Sequence, residues 1–175
     1  LRSDVEIKEL EVNVALGLTD PPEGAFTDPR HPKLGWRSYS IDAEKFNQPI
    51  NWTKLRVDYV IPEYGSELTG ESYILEMGFE RLNGVDFKKG CYVGQEVTAR
   101  MKHKTELHKG LVKIGSEETM VNGEELFLND KPIGSVLTVY DRSALAYVRL
   151  KNRDEVLSTK STKKIFVDTN PISSN

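Results

Sequence analysis

The sequence predicts an α+β protein: an antiparallel sheet with helices over residues 1–106, then a small antiparallel β-barrel or sandwich over residues 107–175. Three observations carry this. Apolar residues alternate at period two near the start, one segment has both a helix start signal and a helix stop signal, and short β-rich runs separated by turn residues fill the last third.

Taken in order, Val5, Ile7, Leu10, Val12, Val14 and Leu16 fall almost entirely at period two, which predicts one or two half-buried strands. Prolines, Gly24 and Asp28 break the pattern over residues 21–32, predicting a surface loop, and a strand-like run follows at 36–41. Asn51 is a suitable N-cap for a helix over Trp52, Leu55, Tyr59 and Val60. That helix must end by Pro62, which lacks an N–H and clashes with the preceding turn. It is expected to lie on the first strands. Asn83-Gly84 marks a turn. Strands are expected at 107–114, 125–128, 133–140, 145–150 and 164–167, with Asn122-Gly123, Asn129-Asp130 and Asp141-Arg142 as turns.

Composition narrows the function classes. The 175 residues carry 24 Lys and Arg against 27 Asp and Glu, a net charge of −3, so bulk charge does not fit a protein that coats nucleic acid. No apolar run approaches the roughly 18 residues that span a bilayer. One cysteine cannot form an internal disulfide or build a multi-cysteine metal site alone, and the chain reads as intracellular.

The densest chemistry lies at Lys88-Lys89-Gly90-Cys91-Tyr92-Val93-Gly94-Gln95-Glu96, just before residues that can form a helix. Gly90 and Gly94 allow tight turns or close approach to a ligand. The free N–H groups of a helix opening at Gly94 or Gln95, together with Lys88 and Lys89, favour thiolate over thiol at Cys91. A small buried hydrophobe explains a lone cysteine equally well. From residue 88 to residue 109 there are six Lys or Arg against two Glu, which fits either a solvated face or a dock for an anion. His31, His103 and His108 have no metal-ligand spacing with Cys91. Glu76 sits among apolar neighbours and needs a donor partner if buried: an internal Arg or backbone N–H, or the paired N–H donors of a ligand's aminopyrimidine edge. Trp36, Trp52 and Tyr92 are core candidates that could also stack on a flat ring.

At Lys89-Gly90-Cys91-Tyr92-Val93-Gly94-Gln95-Glu96 the chain resembles the K-G-C-[FY]-x-G-Q-E signature of the YgfZ family, folate-binding proteins of iron-sulfur cluster assembly. The surroundings agree: Asp28-Pro29-Arg30 with Leu34-Gly35-Trp36-Arg37, Leu82-Asn83-Gly84-Val85, Gly134-Ser135 and Ala144-Leu145-Ala146. The resemblance implies a fold like the aminomethyltransferase, or T protein, of the glycine cleavage system: three domains round a folate-binding hole, the last a small barrel. It implies that residues 1–106 are part of the folate-binding region, that 107–175 form the barrel, and that a further N-terminal segment makes most of a first domain. In the T protein a leucine-glutamate-alanine-glycine segment supplies a pterin-binding carboxylate. Leu75-Glu76-Met77-Gly78 is similar, with Met77 in place of alanine.

The resemblance thus implies tetrahydrofolate as cofactor, with Glu76, Lys89, Gly90, Tyr92, Gly94, Gln95, Glu96 and Arg100 around it and Cys91 as the reactive thiolate. Gln95 and Glu96 serve equally well as caps of the following helix. One thiolate can also supply one ligand to a 2Fe-2S cluster shared with an A-type carrier protein, for delivery to cluster-dependent enzymes that include tRNA modifiers. The implied compartment is the cytoplasm in a bacterium and the mitochondrial matrix in a eukaryote. Two other readings stand beside this one: a tetrahydrofolate-dependent aminomethyltransferase, against which Cys91 stands where the T protein carries Asp, and an RNA-binding module using Arg100, Lys102 and Lys104.

Overall fold

The computed structural model describes residues 5–9, 11–40, 49–104, 106–152, 157–160 and 163–168. Two compact units divide the chain, Leu1–Ile50 and Asn51–Asn175.

The first unit holds strands β1 (Asn13–Gly17), β2 (Phe26–Thr27) and β3 (Trp36–Ser40) in the antiparallel order β1-β3-β2. β1 and β3 pair from Asn13 with Ser40 to Gly17 with Trp36. Trp36, 4% exposed, and Ala15 form its core, and the Trp36 indole N–H donates to the Thr19 carbonyl at 2.9 Å. Gly35 must be glycine: φ is +71°, and a Cβ there would stand 1.9 Å from the Gly17 carbonyl oxygen. The expected strand is shorter than its alternation. Residues 5–9, 11 and 12 are not in a strand, Val5 and Ile7 are exposed, and Leu10 lies outside the described residues. Alternation makes a segment able to lie on a sheet but supplies no partner strand, and none pairs there among the described residues.

The motif Asp28-Pro29-Arg30 with Trp36-Arg37 builds an ionic knot in this unit. Asp28 is buried, and its carboxylate takes Arg30 Nε at 2.9 Å, Arg30 Nη2 at 2.7 Å and the more distant Arg37 Nη2 at 3.3 Å. Burial pushes the Asp28 carboxyl up, but the hydrogen bonds and charge of Arg30, with the charge of Arg37, outweigh it and hold the group below its usual range.

The second unit contains helices α1 (Trp52–Tyr59) and α2 (Gln95–Lys104) and strands β4 (Lys109–Gly115), β5 (Glu125–Leu128), β6 (Lys131–Tyr140), β7 (Ser143–Arg149), β8 (Leu157–Thr159) and β9 (Lys164–Val167). The six strands close into an antiparallel barrel, β4-β7-β6-β5-β8-β9, shut by pairing of Ile114 with Val167 and Gly115 with Phe166. Closure decides between the barrel and the sandwich. Every strand sends apolar side chains inward: Ile114, Leu126, Ile133, Val136, Val148, Leu157 and Ile165, with the small Ala144 and Ala146. The Asn129-Asp130 turn has φ of +49° and +62°, the left-handed pair that suits a tight hairpin between β5 and β6. No helix among the described residues is long and apolar enough to cross a membrane.

Asn51 caps α1 as expected, its side-chain oxygen accepting from the Lys54 N–H at 2.9 Å, and Val60 ends the helix in a left-handed conformation. The helix does not serve the first strands. It packs on the barrel: Val57 and Val60 bury against Leu145 on the outer face of β7, with Leu111, Leu137 and Tyr140 around them. This explains why β7 buries Leu145 between the inward Ala144 and Ala146, since both faces of that strand are covered. A helix's apolar stripe says that it needs a partner, not which sheet provides it. The barrel strands thus begin at Lys109, while the compact unit that contains them begins at Asn51.

Candidate functional site

The thiol stands in the open. Cys91 is exposed, in a loop that leads into α2, so the buried-hydrophobe explanation for it falls away. An Asx turn begins the loop, the Lys88 N–H donating to the Asp86 carboxylate at 2.7 Å. A second turn follows the cysteine. Gln95 Oε1 accepts from the Tyr92 N–H at 3.1 Å, and the Gln95 N–H returns to the Tyr92 carbonyl at 3.4 Å. Gly94, at φ +85°, makes that turn possible; an L side chain there would be strained. Gly90 differs, because its φ is not positive and a Cβ would meet nothing within 4 Å.

The remaining residues of the motif lie in the same loop and helix. Lys89 Nζ stands 5.0 Å from the centre of the Tyr92 ring, a cation–π contact in solvent. Glu96 and Arg100 pair with each other at 3.2 Å one helical turn apart, both exposed. Lys102 turns back to Glu80 at 2.6 Å and stands over the Phe87 ring, which also meets His103 edge-on. Arg100 and Lys102 of the basic run thus have local carboxylate partners. Around Cys91, Tyr92, Val93 and Val97 are exposed. His31 accepts from the Lys33 N–H at 3.2 Å and caps a short 3-10 turn, and the described residues hold no group of three or more metal-capable side chains.

Glu76 is placed elsewhere in this unit. Its carbonyl accepts from the Leu111 N–H of β4 at 2.9 Å, and its carboxylate Oε2 accepts from the Tyr147 hydroxyl of β7. The partner is internal, but it is a tyrosine hydroxyl on the barrel rather than the expected Arg or backbone N–H. Burial, then the Glu76 carboxylate, push the Tyr147 phenol far above its usual range, so it stays a neutral donor. No hydrogen bond or ion pair among the described residues joins Glu76 to the Cys91 loop.

Two anchors escaped sequence reading. The Glu67 side chain is fully buried and accepts from Arg56 of α1, from the Thr138 hydroxyl of β6 and from the Glu63 N–H at 3.0 Å. Arg81 donates to the Tyr59 and Val60 carbonyls at 3.1 and 2.7 Å, capping the C-terminal end of α1. The partners lie far apart in sequence, and the polar surroundings of Glu67 (Ser66, Thr69, Glu71, Ser72) give no local sign that it is buried.

The chain is similar to iron-sulfur cluster assembly factors. The mitochondrial IBA57 homolog of Aspergillus fumigatus is 36% identical over 94 residues, 53% of this chain and 19% of that protein. The mouse and human mitochondrial IBA57 proteins are 36% and 35% identical over 98 and 95 residues, 51% and 50% of this chain and 27% of each relative. The match thus spans about a quarter or less of these relatives' length. No protein-family profile matches the chain.

Proposed function

We propose that this chain acts in iron-sulfur cluster assembly or repair as part of a folate-binding accessory factor, with Cys91 as the working thiol. The observation that carries the reading is an exposed sulfur on a loop fixed by Gly94 and Gln95, in a chain similar to proteins named as assembly factors. A solitary thiolate supplies one cluster ligand, so the cluster is cargo shared with an A-type carrier and passed to cluster-dependent enzymes, tRNA modifiers among them. Residues 1–106 then contribute to a T-protein-like folate region and 107–175 are its C-terminal barrel. The compartment in a eukaryote is the mitochondrial matrix, in line with the mitochondrial relatives; in a bacterium it is the cytoplasm.

The residues present fit a pterin in one respect. With Oε2 engaged by Tyr147, Glu76 keeps its second oxygen for a ring N–H, and a carboxylate so placed accepts from an aminopyrimidine edge. Lys89, Gly90, Tyr92, Gly94, Gln95, Glu96 and Arg100 shape the loop, Gln95 by holding the Tyr92 N–H.

The test is reconstitution with an A-type carrier, iron and sulfide, followed by visible absorption of the bound cluster. Cys91→Ser should lose the shared cluster while keeping its melting temperature, because substitutions at exposed sites change stability by only about 0.5 kcal/mol. A variant that holds the same cluster as the parent overturns the role of Cys91. Calorimetry with tetrahydrofolate tests the other half: Glu76→Gln should weaken binding about tenfold, and equal affinity removes Glu76 from the site.

A further inference from the structure

The partners of Glu76 lie on the barrel. Tyr147 of β7 is paired on one side with Leu111 of β4 and on the other with Ser135 of β6, so its backbone has a strand on either flank. Gly134, of the Gly134-Ser135 motif, lets β6 come that close: a Cβ there would stand 2.2 Å from the Tyr147 carbonyl oxygen. Ala146 and Val148 belong to the barrel core, so the Tyr147 side chain between them leaves from the outer wall.

Glu76 meets this strand pair at two points. β9 pairs with β4 only at Ile114 and Gly115, and beyond them the Glu76 carbonyl takes the Leu111 N–H at 2.9 Å. Directly across the ladder from Leu111, the Tyr147 hydroxyl donates to Glu76 Oε2. Main chain and carboxylate are thus tied to one register position, which restricts the torsions that a half-buried glutamate otherwise samples. Lys109 Nζ, 5.6 Å from the centre of the Tyr147 ring, adds a second hold on the phenol. Among the described residues no hydrogen bond occupies Oε1.

We propose that Tyr147 is a positioning residue: it sets the rotation of the Glu76 carboxylate so that Oε1 is presented to the N–H donors of the ligand, and through it the barrel governs ligand affinity. This rests on the reading of Glu76 as the pterin acceptor. The hydroxyl acts through Glu76 and not by contact with the ligand.

Calorimetry of the full chain with tetrahydrofolate, kept anaerobic, compares the parent, Tyr147→Phe, Glu76→Gln and the double variant. Tyr147→Phe keeps the ring and should bind about threefold to tenfold more weakly, the size expected for one hydrogen bond lost. In the Glu76→Gln background the same change should cost little more. A hydroxyl proton held by a carboxylate also exchanges slowly. Proton NMR of the parent should show one such signal, which is lost in Glu76→Gln and shifts when tetrahydrofolate saturates the parent. Equal affinity of Tyr147→Phe and the parent, an equal loss in both backgrounds, or a hydroxyl signal unmoved by saturating tetrahydrofolate overturns the role of Tyr147 and leaves the folate reading standing. A parent that takes up no tetrahydrofolate removes that reading, and this role falls with it.

Discussion

Gly94 is the residue on which the loop geometry turns. Its φ of +85° is one that side-chain-bearing residues adopt at a cost of about 1–2 kcal/mol, so Gly94→Ala should loosen the turn rather than unfold the unit. Hydrogen exchange of the Tyr92 amide, held by Gln95, reads this directly and should speed up by about fivefold to thirtyfold. Asp28 supports a second prediction. Its carboxyl is held below the unfolded value of about 3.9, so its stabilisation is fully present above that pH and is lost as pH falls through the lower folded value. Acid titration followed at the Trp36 indole N–H should show the first unit failing below about pH 4, with a shallower acid limb in Asp28→Asn. At this scale the sequence was legible where chemistry is local: Asn51 as a cap and Gly94 as a turn. Glu67 was not, because Arg56 and Thr138 come from a helix and a strand brought together only by the barrel.

Among the elements, the interface between α1 and β7 carries the most information that periodicity lacked. Leu145 points away from the barrel interior and is fully buried because Val57 and Val60 cover it. Leu145→Ala should therefore cost about 2–5 kcal/mol and lower the urea midpoint with little change in slope. The strands at Glu125–Leu128 and Lys164–Val167 match their expected bounds, since turn residues and β-branched or aromatic side chains mark both ends. Leu157–Thr159 went unforeseen: three residues with one large apolar side chain are too short to show a period. The placement of α1 on the first strands failed for the reason already given, that an amphipathic face names a need and not a partner.

For the molecule as a whole, the two compact units frame the fourth prediction. Residues 51–175 contain the closed barrel, its core and the helix that covers one wall, so this fragment alone should unfold in a single cooperative transition, seen as coincident far-ultraviolet and tryptophan signals. Loss of the sheet signal in the fragment would show that the barrel depends on the preceding residues. The barrel was legible in outline because short strands and turn pairs recur over it. Which residues form one compact body with it was not, because that depends on Glu67, Arg81 and Val57 finding partners far along the chain. Among the described residues the sheet has joined its last strand to its first, which removes the free edge that an open sheet presents to another chain. Docking on this half of the protein is then expected through side chains and loops rather than by addition of a strand.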